Sequence, residues 1–529
     1  MSKRAGSRNS GPSVPVLVAH ETQRLLLASF VGGAAVMMLE LLGTRVIGPF
    51  YGASLYVWSS LIAVTLLSLS IGYYLGGRLA DARRLDLSTV LLLAGIATAA
   101  VPLLRVPVLR LTNPLGLRLG SLASAVLLFG FPITALATIG PGVVKRLAID
   151  PNRVGRVSGV VLTASTVGSV LGTLSLGFFL LPMLGTRVIL WGVAATLVGT
   201  ALLLRWDWGG RTDRGRPGAG GFVPLLLGGS FVAWAGVASG SSNPQVVFEA
   251  DGLQGTVRVI DDDQRGVRWL LSDASTVGAI RLERKEPVFP YLSFFEALPH
   301  FVPSARSALV IGLGAGYLPD AYQRHSIATD AIEIDPAIRD AAFRYFPYQR
   351  PRRTIMGDAR REVARLDQRY DIIVHDCFTG GSVPAHLLSV EMLRDVRAHL
   401  TEGGLFAMNF FGYSKRDGAT ALQAVRRTVA AVFPHQRVFV SSPGHDPIDN
   451  LILASSRPIT LTEHEGACSL SGVARFMLDD LSARENTDPL GEGFLVTDDF
   501  NPLDYLQTGK AEEYRNIIAQ RLGLDLLAQ

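Results

Sequence analysis

Hydrophobic residues are distributed unevenly along the 529-residue chain. Before residue 240, long apolar runs alternate with short arginine-bearing links, whereas after residue 245 apolar and polar positions are mixed. A helix needs about 20 mostly apolar residues to cross roughly 30 Å of hydrocarbon. The pattern therefore predicts a polar tail over residues 1–22 and an all-α transmembrane bundle of about seven helices over 23–240.

The predicted spans are 25–47, 55–77, 87–107, 119–140, 157–181, 188–204 and 222–239. The seventh is the least helix-like, since it contains Pro224 and a glycine pair. Small residues recur in the fifth, as in 168–172, and such faces let helices pack closely in lipid. We therefore expect a compact bundle.

Lysine and arginine are concentrated in the N-terminal tail and in the second, fourth and sixth links. Because cytoplasmic loops carry the excess of these residues, the N-terminus is expected inside. The chain is thus predicted to be a multi-pass protein of the inner (plasma) membrane, in contact with the lipid bilayer. Seven complete spans would place the C-terminal half in the periplasm.

The C-terminal half has the pattern of an α/β domain. Two strand-like runs, 256–260 and 267–271, flank a polar turn and predict a β-hairpin. Farther along, strand-like and helical stretches alternate, which predicts a mostly parallel, doubly wound, Rossmann-like sheet. We expect a small β-rich part over 245–300 and the α/β domain over 301–529.

A glycine-rich turn follows the first strand of this predicted sheet. Residues 308–311 run directly into Gly312, Gly314 and Gly316. Glycines at such a turn let the backbone approach a nucleotide, and the next helix presents its N-terminus to the ligand. Glu333 lies 21 residues after Gly312, where an acid can accept the ribose hydroxyls of an adenosine ligand. A solvated acid at a strand end is the alternative interpretation of Glu333.

Two more acids follow predicted strands. Asp358, next to Ala359, follows the strand at 354–356, and Asp376 follows the strand at 370–374. Ligands bind at the carboxyl ends of strands in such sheets. We therefore expect Glu333, Asp358 and Asp376 to converge on one site, and we expect His375 to be a core residue.

Composition narrows the function. The chain has 48% hydrophobic and 18% charged residues and a net charge of +5. The excess charge belongs to the membrane links, where arginine faces anionic lipid. No basic stripe with interleaved aromatic residues is present, so no nucleic-acid partner is expected. The two cysteines, Cys377 and Cys468, form no CxxC pair, so no metal site is expected, and no base is evident that would activate Cys377.

These motifs carry a resemblance. The chain resembles the spermidine synthase (polyamine aminopropyltransferase) family, in a bacterial form fused to an N-terminal multi-pass membrane domain. The resemblance covers about residues 245–460 and lies in the motifs GLGAG, EIDP, GDA, the Asp376 loop and LTEGG. The resemblance implies a methyltransferase-like Rossmann fold. It implies that Glu333 binds the ribose, that Asp358 binds the adenine amino group and that Asp376 deprotonates the attacking amine.

The chain departs from the family at the positions that hold the polyamine. Ala315 replaces an acid that grips the amine of the donor's arm, and Thr379 replaces the second acid of the catalytic loop. Where the family has a Tyr-His-Glu run, this chain keeps only the tyrosine, as Tyr291. We assign Tyr291 and Thr379 to substrate binding. Because a diammonium substrate depends on charged contacts with opposed carboxylates, these changes weigh against putrescine as the acceptor.

The resemblance implies a transferase that moves an aminopropyl group to a small-molecule amine. Its co-substrate would be decarboxylated S-adenosylmethionine, with no prosthetic group. There are two alternatives. The first is a methyltransferase that uses S-adenosylmethionine, which Ala315 suits. The second is a non-catalytic adenosyl-binding module attached to a transporter-like membrane half. Such donors are cytoplasmic, so we expect the soluble domain in the cytoplasm and leave the periplasm, and a homodimer, open.

Overall fold

The computed structural model of the chain describes residues 16–51, 55–148, 150–205, 245–252, 255–273, 275–378, 383–415, 420–461 and 470–522. The chain divides into two compact units. The first comprises residues 1–46, 59–108 and 122–239, and the second comprises 47–58, 109–121 and 240–529. The two segments 47–58 and 109–121 thus group with the C-terminal part.

The N-terminal region is helical over most of its described residues. Its helices are α1 Val16–Tyr51, α2 Leu55–Asp81, α3 Leu87–Thr112, α4 Gly116–Ala125, α5 Phe131–Ala137, α6 Ile139–Leu147, α7 Val154–Ser175, α8 Leu181–Met183 and α9 Thr186–Arg205. One-turn π-helices join α4 to α5 and α7 to α8.

Five helical segments of the described residues are long and apolar enough to cross a membrane. They are Glu21–Tyr51, Tyr56–Asp81, Leu87–Leu147, Pro151–Leu180 and Thr186–Arg205. The third contains both the third and the fourth predicted spans, which are separated at Gly116, where φ is +74°. The seventh predicted span, 222–239, lies outside the described residues.

Small residues bring α1 and α7 into backbone contact, as the sequence predicts. A Cβ on Gly168 would overlap the carbonyl of Phe30, and one on Gly172 would lie 3.0 Å from the Cα of Ala34. The Ser169 hydroxyl donates to the Gly33 carbonyl at 3.0 Å. Without a hydrophobic drive between helices in lipid, this close approach supplies the packing energy.

The β-rich part of the second unit is larger than the predicted hairpin. Strands β1 Gln245–Asp251, β2 Thr256–Asp262, β3 Val267–Ser272 and β4 Ser275–Arg281 form an antiparallel sheet in sequence order. The predicted hairpin is its central pair, since β2 pairs with β3. The inner face of this sheet contributes Val257, Val259 and Leu270 to a core that it shares with Ala315.

A seven-stranded sheet follows. Its strands are β5 Ser307–Ile311, β6 Ala328–Glu333, β7 Arg353–Met356, β8 Tyr370–His375, β9 Leu400–Gly412, β10 His435–Val440 and β11 Ile448–Ser455, in the order β10-β11-β9-β8-β5-β6-β7. The run from β9 to β7 is parallel, which confirms the predicted Rossmann-like fold. Strand β11 lies antiparallel to both of its neighbours, β9 and β10.

Helices cover both faces of this sheet. They are α10 Pro290–Glu296, α11 Tyr317–Arg324, α12 Pro336–Tyr345, α13 Ala359–Val363, α14 Val390–Ala398, α15 Thr420–Ala430, α16 Gly472–Asp479, α17 Leu481–Arg484, α18 Leu503–Leu506 and α19 Thr508–Leu522. One hydrophobic core lies under α13, α14 and α15, and another lies under α10 and α11. These two layers fix the carboxyl ends of the parallel strands, where the predicted site residues lie.

Candidate functional site

The glycine turn has the backbone conformation that only glycine adopts readily. Gly312, Gly314 and Gly316 have φ values of +95°, +55° and +91°. A Cβ on Gly312 would overlap the carbonyl oxygen of Asp376 and lie 3.2 Å from the Cys377 sulfur. The turn therefore packs directly against the loop that follows β8, and Gly316 caps the start of α11.

Glu333 ends β6 and is almost fully buried beside the glycine turn. Its two carboxylate oxygens accept hydrogen bonds from the Leu313 N–H at 3.1 Å and from the Asp335 N–H at 2.9 Å. Burial raises the pKa of Glu333 to about 7, although these backbone donors favour the ionised form. The carboxylate thus holds the glycine turn in place.

Asp358 lies at the end of β7, on the same edge of the sheet. Its carboxylate caps α13 by accepting from the Arg360 N–H at 2.8 Å, and its other oxygen lies 3.3 Å from His386 Nε2. Ala359 is buried in the core below it. The side chain of Asp358 is 41% exposed, so it keeps accessible acceptor sites at the rim.

Asp376 follows β8 and faces Tyr291 of α10. The Tyr291 hydroxyl donates to Asp376 Oδ2 at 3.0 Å, and Asn409 Nδ2 lies 3.4 Å from Asp376 Oδ1. Burial, with a smaller contribution from the nearby Asp449 carboxylate, raises the pKa of Asp376 to about 7, although these two donors lower it. A carboxyl group with a pKa near neutrality is suited to general-base chemistry.

Asn409 and Asp449 join the site without having been predicted. Asn409 lies inside β9, and Asp449 lies at the start of β11 directly opposite Phe411 of β9. Ser441 donates to Asp449 at 3.2 Å, and the amide of Asn409 also lies beside this carboxylate. Burial raises the pKa of Asp449 to about 6. One amide within the apolar run 405–411 was the available signal, but nothing in the sequence paired it with Asp449.

Two cavities meet at Tyr291. A small pocket at the glycine turn is lined by Gly312, Gly314, Tyr291 and Asp376. A larger cavity of about 450 Å³ is also lined by Tyr291, together with Asn409 and Asp449. Asp376 therefore lies between the nucleotide-type turn and a cavity large enough for a small molecule.

Neighbouring candidates have structural roles. His375 is fully buried, and burial lowers its pKa to about 4, so it is the core residue that we expected. Cys377 packs with its sulfur 3.2 Å from the Ile311 carbonyl, and burial raises its pKa well above the usual range, which disfavours a thiolate. Thr379, assigned to substrate binding, lies outside the described residues.

The sequence is similar to curated transferases. It is 33% identical over 220 residues to an N-terminal histidine N-methyltransferase of Emericella nidulans, covering 37% of this chain and 38% of that protein. It is 36% identical over 138 residues to a polyamine aminopropyltransferase of Vibrio vulnificus, covering 25% and 46%. It is 26% identical over 229 residues to a probable polyamine aminopropyl transferase of Bifidobacterium longum, covering 40% and 51%.

The chain spans about half or less of the length of these relatives. No protein-family profile matches it. Among solved structures, a probable spermidine synthase from Corynebacterium glutamicum aligns with a TM-score of 0.36 at 17% identity, over 51% of this chain and 94% of that one. In these sequence matches, the chain is similar to the polyamine aminopropyltransferases.

Proposed function

We propose that this protein transfers an alkyl group, in the first instance aminopropyl, from an adenosylsulfonium donor to the nitrogen of an amine. The observation that carries the proposal is the position of Asp376 between the glycine turn and the larger cavity, in contact with Tyr291 and Asn409. A donor bound at the turn and an amine bound in the cavity would meet at this carboxylate.

The chemistry asks little of the protein beyond positioning and proton removal. The acceptor arrives as an ammonium ion and gives one proton to Asp376. Its freed lone pair attacks the carbon next to the sulfonium, a C–N bond forms, and the C–S bond breaks with its electron pair going to sulfur. The products are a thioether, a secondary ammonium ion and the protonated Asp376.

The donor would be held by the edge of the sheet. Gly312, Gly314 and Gly316 have no side chains, so the donor could approach the backbone of the turn closely. Glu333 would bind the ribose of the donor. Asp358 and Ala359 would bind its adenine. Each of these residues lies at the carboxyl end of a parallel strand, in the loop that follows it or at the start of the next helix. The names of the Vibrio and Bifidobacterium relatives support aminopropyl as the group that moves.

Methyl transfer is a second candidate, which one observation favours. Ala315 is buried against the β4 strand, where a Cβ on Gly278 would lie 2.7 Å from the Ala315 Cβ. The side chain at this position carries no carboxylate that could hold the amine of an aminopropyl donor. The name of the Emericella relative also supports methyl transfer to an amine.

The products of the full-length protein in nanodiscs distinguish the two. With a panel of primary amines, aminopropyl transfer consumes decarboxylated S-adenosylmethionine and releases methylthioadenosine. Methyl transfer consumes the ordinary donor and releases S-adenosylhomocysteine. We expect one thioether to accumulate in proportion to alkylated amine, measured by mass spectrometry. If neither donor is consumed faster than without protein, the domain is a non-catalytic binding module.

We further propose that the protein lies in the plasma membrane with its C-terminal part in the cytoplasm, where adenosylsulfonium donors are made. Fusions of green fluorescent protein and of alkaline phosphatase after Gln529 test this. We expect the green fluorescent protein fusion to fluoresce and the alkaline phosphatase fusion to be inactive. An active phosphatase fusion with a non-fluorescent partner fusion would place the domain in the periplasm. That result would contradict an enzyme that depends on a cytoplasmic donor.

A further inference from the structure

The larger cavity has a mostly apolar wall and a cluster of polar groups next to Asp376. Its polar end is formed by Asn409 and Asp449, next to Asp376. The rest of the wall is mainly aromatic and aliphatic and includes Phe289, Phe411, Tyr514 and Ile517. Tyr514 is fixed in this wall because its hydroxyl lies 2.5 Å from Thr276 Oγ1 and its ring packs edge-on against Phe411.

The polar end contains a buried hydrogen-bond acceptor that is unpaired among the described residues. Asn409 is fully buried, and its Oδ1 atom has no hydrogen-bond partner among the described residues, although its Nδ2 atom faces Asp376. Buried amide oxygens are rarely left unpaired. Asp376 and Asp449 are acceptors when ionised, so three acceptor groups converge, and no lysine or arginine is among the described residues that line the cavity. An ammonium ion, with three N–H donors and no acceptor, complements this arrangement.

A second ammonium would find no such partner. Asn409 lies beside both acids, so Asp376 and Asp449 belong to the same end of the cavity rather than to opposite ends. Among the described residues that line the cavity, Asp449 is the one carboxylate. Placing the far ammonium of a linear diamine against the apolar wall would remove its water without a countercharge, which is strongly unfavourable.

We infer that the acceptor is a primary amine with one cationic head and an apolar body, and that Asn409 and Asp449 hold this head against Asp376. The inference rests on the proposed function and narrows its substrate class. It also explains how the site can dispense with an acid at Thr379, because Asp449 supplies a second carboxylate from β11. A linear polyamine is then a poor acceptor.

The test compares two amines of the same length. n-Pentylamine and 1,4-diaminobutane differ only in whether the far end is a methyl group or an ammonium. Each is titrated by calorimetry into the full-length protein in nanodiscs, saturated with the donor's thioether product, and each is assayed for turnover with the donor. We expect pentylamine to bind at least about tenfold more tightly and to react with the higher kcat/KM.

Two substitutions test which side chains bind the ammonium head of the acceptor. Asp449→Asn and Asn409→Leu should each weaken pentylamine binding about tenfold or more and leave thioether binding unchanged, since a charge-assisted or buried hydrogen bond is lost. Asp367→Asn is the matched control, because it removes the same charge from a side chain that is 79% exposed outside the cavity. It should change neither affinity.

The outcomes separate the two proposals. Selective pentylamine binding without any turnover would support the acceptor assignment and reject the proposed transfer. Turnover that prefers the diamine, or equal binding of both amines, would reject the acceptor assignment and keep the transfer. Absence of binding for both amines would also reject the assignment.

Discussion

Replacing Asp376 by Asn is expected to lower turnover by about 10²–10⁴-fold, the usual contribution of a general base, and to leave donor affinity nearly unchanged. Asn is isosteric with Asp but cannot accept the ammonium proton. The contacts with Tyr291 and Asn409 suggest that the loop keeps its position, since an amide can still pair with both side chains. Single-turnover kinetics with calorimetry of donor binding would measure both effects.

The pH dependence provides an independent check on this base. Below pH 7 the Asp376 carboxyl is protonated, since burial holds its pKa at about 7, so kcat/KM should fall as the pH decreases through this value. Tyr291→Phe removes a donor that favours the ionised form and should move the acid limb to higher pH. Asp449→Asn removes a repelling charge and should move it to lower pH. The apparent value belongs to the coupled pair of acids.

Full turnover by the Asp376→Asn variant would contradict the assignment and favour the binding-module interpretation. The acid limb of the pH profile of kcat/KM should move in opposite directions in the Tyr291→Phe and Asp449→Asn variants. If it does not, the titrating group is not Asp376. Asp367→Asn, on the exposed surface, is the control for a general effect of charge.

Replacing Glu333 by Ala is expected to weaken binding of the adenosyl donor by more than about tenfold, because two hydrogen bonds between a charged group and the ribose hydroxyls are lost. The same substitution frees the Leu313 N–H, which the carboxylate holds at 3.1 Å. Loss of affinity alone would therefore not separate a direct contact from a displaced glycine turn.

A ligand without the two ribose hydroxyls makes that separation. If Glu333 binds the ribose, the 2′,3′-dideoxy thioether should bind the wild type weakly and should lose little further affinity in the Glu333→Ala variant. If Glu333 acts through the turn, both ligands should lose affinity equally in the variant. Calorimetry of both ligands with both proteins measures the coupling energy between Glu333 and the ribose hydroxyls. Unchanged affinity of the Glu333→Ala variant for the normal ligand would reject the assignment.

The sequence determined the features that follow from local spacing. Apolar runs of about 20 residues define candidate membrane spans because the bilayer thickness fixes their length. The glycines at 312, 314 and 316 identified the turn, since few other residues adopt its positive φ values. Acids directly after strands had to reach one edge of the sheet, because parallel strands end together. The same patterns carried the family resemblance.

Tertiary structure decided what lies opposite Asp376. Asn409 and Asp449 come from β9 and β11, and Tyr514 comes from α19, 138 residues after Asp376 in the chain. Their proximity depends on β11 inserting antiparallel between β9 and β10. Strand order and the docking of a distant helix are set by long-range packing, which no local pattern encodes. The sequence by itself therefore located the edge of the sheet with the glycine turn and its three acids, and only the fold built the cavity beside Asp376.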